Sequence, residues 1–295
     1  MEERVNGYIK LDNILGLKDC DNKSITTILD ELKTFKNIEI NDNNKIISFI
    51  YNGEKYYWKN CYYQINTYNE LIVCEIADCL SIPHIEYDLA SIGTFNGVIS
   101  KNYKTDGCKY INGRELLTES LEEDWNYTLD DIWLALEKRY ASLPNMQEVV
   151  SKLMKKIIDM FILDILVMQS DRHSKNWEIV ESDSGEIDLQ PLYDNEYLFV
   201  KDHPLLEIDY SRFDDNDEFI NLIRNFQEIS SNEFSNILKN SLWVIEESNL
   251  NQIFTKIENK IKSPIPNNVK QYYLKKFNTQ SERIKKALSK NVKER

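Results

Sequence analysis

Two runs rich in β-branched and aromatic residues, Ile46-Ile47-Ser48-Phe49-Ile50-Tyr51 and Tyr56-Tyr57-Trp58-Lys59, flank the dipeptide Asn52-Gly53. Asn-Gly readily takes the two left-handed positions of a tight turn, so the pattern predicts a β-hairpin with Lys59 at the end of its second strand. Ile38-Glu39-Ile40 reads as a strand before it. From Thr67 to Leu80 the spacing changes: Leu71, Ile72, Cys74, Ile76, Ala77 and Leu80 fall mostly on one face of a helix. Ile85 to Ala90 and Val98 to Ser100 then predict two more strands, joined by a glycine-containing turn at Gly93 to Gly97.

Helical spacing dominates the rest of the chain. Leu129 to Arg139 predicts a helix with Thr128 and Asp130 as capping chemistry, and Gln147 to Met168 predicts a longer one. After an acidic loop around Asp209 to Asp217 come amphipathic segments at Phe219 to Ile229, Asn232 to Glu246 and Asn249 to Ile261, then a last helix from about Asn268. Ahead of the first strand, Ser24 to Phe35 reads as one amphipathic helix.

The apolar stretch Ile157 to Met168 gives way to Ser170-Asp171-Arg172-His173-Ser174-Lys175-Asn176, and Leu189-Gln190-Pro191-Leu192-Tyr193-Asp194 comes after it. Charged groups beside a buried helix are costly without a partner or a task. Phosphoryl transfer supplies one. It needs a carboxylate to orient and deprotonate the attacking hydroxyl, and oxygen donors for the magnesium that neutralises the phosphates. Asp171 and Asn176 stand five positions apart, the separation of catalytic Asp and metal-binding Asn in a protein-kinase catalytic loop, and Asp194 supplies a second metal ligand. His173 fits either a phosphate contact or a brace of the loop, and Lys175 either a phosphate contact or a solvated lysine.

Kinases also place a lysine on a small-lobe strand and fix it with a glutamate on the next helix. Lys59 is that lysine, and Glu70 and Glu75 are its candidate partners. No G-x-G-x-x-G or G-x-x-x-x-G-K-[ST] run covers the phosphates; the polar turn Asn41-Asp42-Asn43-Asn44 is the best substitute. By order along the chain, Ser100, Lys101 and Asn102 form the hinge whose backbone pairs with the adenine edge.

Asp171-Arg172-His173-Ser174-Lys175-Asn176 with Tyr193-Asp194 resembles the catalytic and metal motifs of HipA-like kinases, atypical bacterial Ser/Thr protein kinases, and more distantly the catalytic loop of phosphatidylinositol kinases. The resemblance implies an α+β, two-lobed protein-kinase-like fold with a small β-rich N-lobe and a mostly helical C-lobe. Residues 1–37 form an N-terminal helical extension, 38–104 the N-lobe and 105–295 the C-lobe. It further implies ATP and Mg2+ as cofactors, Asp171 as general base, and Asn176 and Asp194 on the metal. His173, Lys175 and Tyr193 lie beside the nucleotide, and Glu70 is favoured over Glu75 by an Asn-Glu pair at the start of that helix. The toxin of a toxin–antitoxin pair is one role it opens, with an aminoacyl-tRNA synthetase as protein substrate and a HipB-like antitoxin as partner. Some members phosphorylate themselves on a serine near the phosphate loop; Ser48 is the nearby serine here.

The remaining composition sets limits. A net charge of −13 repels phosphate backbones, so no direct DNA binding is expected, although the tail from Lys270 to Arg295 is locally basic. Cys20, Cys61, Cys74, Cys79 and Cys108 form no C-x-x-C pair, which suits a reduced, cytoplasmic protein. The longest apolar run is broken by Asp159 and Asp164, so no membrane span is expected. Two other functions fit the residues: a lipid or small-molecule kinase of the phosphatidylinositol-kinase-like type, and a nucleotide-binding pseudokinase serving as an interaction module.

Overall fold

Asn6 and Gly7 both hold left-handed backbone angles, so the chain reverses between β1 (Arg4–Val5) and β2 (Tyr8–Lys10) within its first ten residues. The computed structural model describes residues 3–40, 46–61, 63–118, 129–169, 172–199 and 232–290. These fall into two compact units. The first comprises Met1–Glu75, Ile85–Lys104 and Gln252–Lys270; the second comprises Ile76–His84, Thr105–Asn251 and Gln271–Arg295.

After β2 come a short turn of helix, α1 (Asp12–Leu15), and α2 (Ile25–Leu32), whose first turn is capped by the Ser24 hydroxyl accepting the Thr27 N–H at 3.1 Å. Next are β3 (Ile38–Ile40), β4 (Ile46–Tyr51), β5 (Glu54–Asn60), α3 (Gln64–Leu80), β6 (Asp88–Ile92) and β7 (Phe95–Lys101). As expected, Asn52 and Gly53 turn β4 into β5 with φ of 51° and 78°. The strands of the first unit form one sheet in the order β1-β2-β6-β7-β5-β4-β3, antiparallel except for the β2–β6 pair.

One face of this sheet carries Ile47, Phe49, Trp58 and Ile99, which pack with Leu11, Leu15, Ile28, Leu29 and Leu32 into a single apolar cluster. The stretch 1–37 thus adds two strands to the sheet and its helical residues to the core. Gly97 departs from expectation: it sits inside β7, opposite Asn60 and Ala90, not in the turn. A Cβ there would lie 2.1 Å from the Lys59 carbonyl oxygen, so the two strands meet this closely only at glycine.

The second unit holds β8 (Cys108–Asn112), α4 (Gly113–Thr118), α5 (Leu129–Tyr140), α6 (Met146–Val167), β9 (Glu178–Ser182) and β10 (Ile187–Leu189). It also holds α7 (Asn232–Ser241) and most of α9 (Asn267–Lys290); α8 (Glu247–Ile261) begins in it and continues in the first unit. α7 stops before Glu246 because Leu242–Ile245 tightens into a 3-10 turn. The strands form a small antiparallel sheet, β10-β9-β8. α6 is buried without interruption from Met160 to Val167, a stretch apolar on all sides except at Asp164. Among the described residues no helix is long and apolar enough to cross a membrane.

Candidate active site

Side chains alternate along β5, so Trp58 enters the apolar cluster, its indole N–H donating to the Ala90 carbonyl at 3.1 Å, while Lys59 points to the opposite face. There the Lys59 ammonium meets the Glu70 carboxylate at 3.4 Å. The Glu70 side chain is fully buried and that of Lys59 nearly so. A desolvated carboxylate left without a cation is destabilising, so burial itself favours keeping the two side chains paired. Glu75 instead meets Lys256 at 3.7 Å. Of the two glutamates open from the sequence, Glu70 is therefore the one beside Lys59.

Of the expected hinge, Ser100 and Lys101 are the last two residues of β7 and Asn102 follows it. Ser100 lies opposite Tyr57 and Lys101 opposite Tyr56, and the Asn102 N–H donates to the Lys55 carbonyl at 2.8 Å. Lys101 is also paired with Glu54 at 2.9 Å. Ser48 is buried within β4, its hydroxyl donating to Glu39 at 3.0 Å. The polar turn Asn41 to Asn44 lies outside the described residues.

In the second unit α6 is closed after Val167 by Met168, which takes a left-handed angle, φ 49°. Ser170 and Asp171, the expected general base, lie outside the described residues. Arg172 is completely buried and organises the loop that it opens. Its Nε donates to Asp164 at 3.1 Å and its Nη1 to the carbonyls of Asn176 at 2.9 Å and Tyr193 at 2.8 Å. Its Nη2 donates to Asp164 at 3.2 Å and to the Asn195 side-chain oxygen at 2.6 Å. Burial pushes the Asp164 carboxyl up from its ordinary value and the guanidinium pulls it back. Burial lowers Arg172, but Asp164 more than compensates, and Arg172 stays charged.

One guanidinium therefore ties the loop carrying Asn176 to the segment Tyr193–Asn195. Further bonds stiffen both. The His173 Nδ1 accepts the Lys175 N–H at 3.2 Å, and the His173 carbonyl accepts the Asn176 N–H at 2.9 Å. Tyr193 donates its hydroxyl to the Lys175 carbonyl at 3.0 Å, and Gln169 donates its amide to the Asp194 carbonyl at 2.9 Å. Asp194 itself holds a left-handed angle, φ 61°. Below the loop, the Gly113 and Arg114 N–H groups donate to the carbonyls of Trp177 and Ser174, each at 3.1 Å. A Cβ at Gly113 would fall 2.2 Å from the Trp177 ring.

Asn176 is buried, Tyr193 and Asp194 are partly so, His173 is half-exposed and Lys175 is exposed. The side chains of Asn176 and Asp194 offer the hard oxygen donors that magnesium takes, on two segments held by the same guanidinium. Arg172, Asp164, Asn195, Gln169 and Gly113 are the residues that motif spacing alone did not single out. The signal for two of them was present: Asp164 is an acid inside an otherwise apolar helix, with an arginine eight residues on.

No protein-family model matches the chain, and no curated protein sequence matches it. Solved structures do. The Helicobacter pylori proinflammatory kinase CtkA is similar over 87% of this chain and 96% of its own, at 18% identity and a TM-score of 0.57. The HipA toxin of Shewanella oneidensis MR-1, solved with HipB and its operator DNA, is similar over 90% of this chain and 71% of its own, at 15% identity and a TM-score of 0.54. With a β-sheet N-terminal region, a helical C-terminal region and these structural relatives, the chain has an α+β, kinase-like fold.

Proposed function

We propose that the chain is an ATP- and magnesium-dependent phosphotransferase of the HipA-like kind, moving the γ-phosphoryl group to a serine or threonine hydroxyl of a protein. The observation that carries this reading is the Arg172 clamp. A buried cation bonded to both Asn176 and Tyr193 carbonyls pre-positions the two segments that bear the oxygen donors. The Lys59–Glu70 pair supports it from the other unit, since a strand lysine held by a buried helix glutamate is a standard phosphate-binding arrangement in kinases.

In the reaction the acceptor oxygen bonds to the γ-phosphorus as the bridging oxygen departs with ADP. Asp171 orients the hydroxyl and takes its proton. Lys59 holds the phosphates, and Asn176 and Asp194 hold magnesium, which neutralises phosphate charge when bound. His173 and Lys175 border the phosphates, and the backbone of Ser100, Lys101 and Asn102 reads the adenine edge. A reduced, cytoplasmic setting and an antitoxin-like partner belong to the same proposal; the structural relative HipA was solved with HipB. An aminoacyl-tRNA synthetase is the protein substrate to try first.

Incubation with γ-labelled ATP and magnesium, offered a bacterial lysate and mixed lipid vesicles in parallel, tests the reading. Label on protein supports it. Label confined to lipid replaces it with a lipid kinase.

A further inference from the structure

The last turn of α6 holds Arg172 through the Asp164 side chain, while the Asp164 carbonyl accepts the Met168 N–H and, at 3.0 Å, the Gln169 N–H. In an uninterrupted helix the Gln169 N–H would serve the Ile165 carbonyl. The left-handed turn at Met168 diverts it. Gln280 of α9 takes the vacated place: fully buried, it donates its side-chain amide to the Ile165 carbonyl at 2.6 Å.

Gln280 does not act alone. Phe277, Gln280 and Arg283 share one side of α9, three residues apart. Phe277 meets the Phe199 ring edge to face at 5.0 Å between centroids, and Arg283 donates to the Met168 sulfur at 3.7 Å. The Phe199 N–H in turn donates to the Met168 carbonyl at 3.1 Å. One side of α9 thus holds both the end of α6 and the segment that runs on from Asp194 and Asn195.

Packing alone would not select glutamine here. Its side-chain oxygen is buried and, among the described residues, has no hydrogen-bond partner, a cost that methionine or leucine would avoid. What the position gains is the donor to Ile165.

We propose that Gln280 is a positioning residue of the phosphotransfer site. By replacing the diverted backbone donor it fixes the turn from which Asp164 holds Arg172, and Arg172 in turn holds the carbonyls of Asn176 and Tyr193. It acts through Arg172 and not on the reacting atoms. The proposal rests on the kinase reading.

The test compares wild type, Gln280→Met and Ile284→Val in the full chain. Methionine keeps the volume and removes both the donor and the orphaned oxygen; Ile284, buried on the same helix, reports general loosening of α9. Two quantities are read: the rate of transfer from γ-labelled ATP to lysate protein at varied ATP, and backbone hydrogen exchange. In Gln280→Met the maximal rate is expected to fall roughly 10- to 100-fold with the KM for ATP within about threefold of wild type, since misplacement and not lost binding is the cause. Exchange across residues 172–177 is expected to quicken while that of α5 stays as in wild type. Ile284→Val is expected to change neither. An unchanged maximal rate in Gln280→Met overturns the proposal. So do equal losses in Ile284→Val, or exchange that quickens equally in α5, either of which would make Gln280 a residue of general stability. Wild type that transfers no label would instead overturn the kinase reading itself, and the positioning role with it.

Discussion

Arg172 and Asp164 form an ion pair at 3.1 Å with both side chains removed from solvent, and the same guanidinium reaches two backbone carbonyls and Asn195. Deleting one partner of such a pair leaves an uncompensated buried charge. Asp164→Ala is expected to cost about 3–5 kcal/mol in stability, read from urea unfolding. Arg172→Lys keeps the charge and loses the fork of donors, so it is expected to lower phosphotransfer more than it lowers the unfolding midpoint. A fully active Arg172→Lys would show that the clamp does not position the site.

Glu70 and Glu75 make a discriminating pair of variants. Glu70 is fully buried against Lys59, whereas Glu75 meets a largely exposed lysine, Lys256. Glu70→Gln is expected to lower kcat/KM for ATP by roughly 10- to 100-fold, the worth of a charged hydrogen bond. Glu75→Gln is expected to stay within about twofold, since pairs of that exposure contribute little. Equal losses would remove the special role of the Lys59–Glu70 contact.

Gly97→Ala is expected to destabilise the first unit by about 2 kcal/mol or more, because the added Cβ meets the Lys59 carbonyl oxygen at 2.1 Å and backbone has to move. Thermal melting checks the loss. ATP affinity checks whether Lys59 moves with it.

Acid stability has a defined origin in the second unit. Burial raises the Glu181 carboxyl, but Arg139 and the Tyr140 hydroxyl outweigh it, and the net shift is downward. Asp188 is lowered in the same way, burial opposing Lys156 and Lys152. A depressed carboxylate stabilises the fold above its unfolded value and loses that contribution as pH falls through its folded value. Stability is therefore expected to decline from the ordinary carboxylate range downward. Glu181→Gln is expected to flatten part of that decline in urea midpoints measured between about pH 6 and pH 3. An identical slope in the variant would assign the acid limb elsewhere.

Much of this molecule is legible in the chain because local chemistry and tertiary structure agree. Asn52-Gly53 predicts its hairpin, and the apolar spacing after Thr67 predicts α3. The same dipeptide at Asn6-Gly7 also makes a turn, yet the strands beside it have two and three residues, too few for a readable pattern. Gly97 looks like a turn residue because the pressure on it comes from Lys59, a contact across strands. At the candidate site, Lys59, Asn176 and Asp194 stand out by spacing, because the proposed transfer chemistry would constrain residue type. The roles of Arg172, Asn195 and Gly113 are set by carbonyls and a ring brought near them by folding.

The most direct measurement compares wild type with Asp171→Asn and Asp194→Asn for transfer of label from γ-labelled ATP, with magnesium, to protein in a bacterial lysate. Wild type is predicted to label a discrete protein. Each variant is predicted to lose nearly all transfer, a barrier increase on the order of several kcal/mol, with the fold retained by circular dichroism. Label transferred undiminished by either variant would contradict the assigned site. Absence of transfer by wild type that binds ATP would contradict the proposed activity.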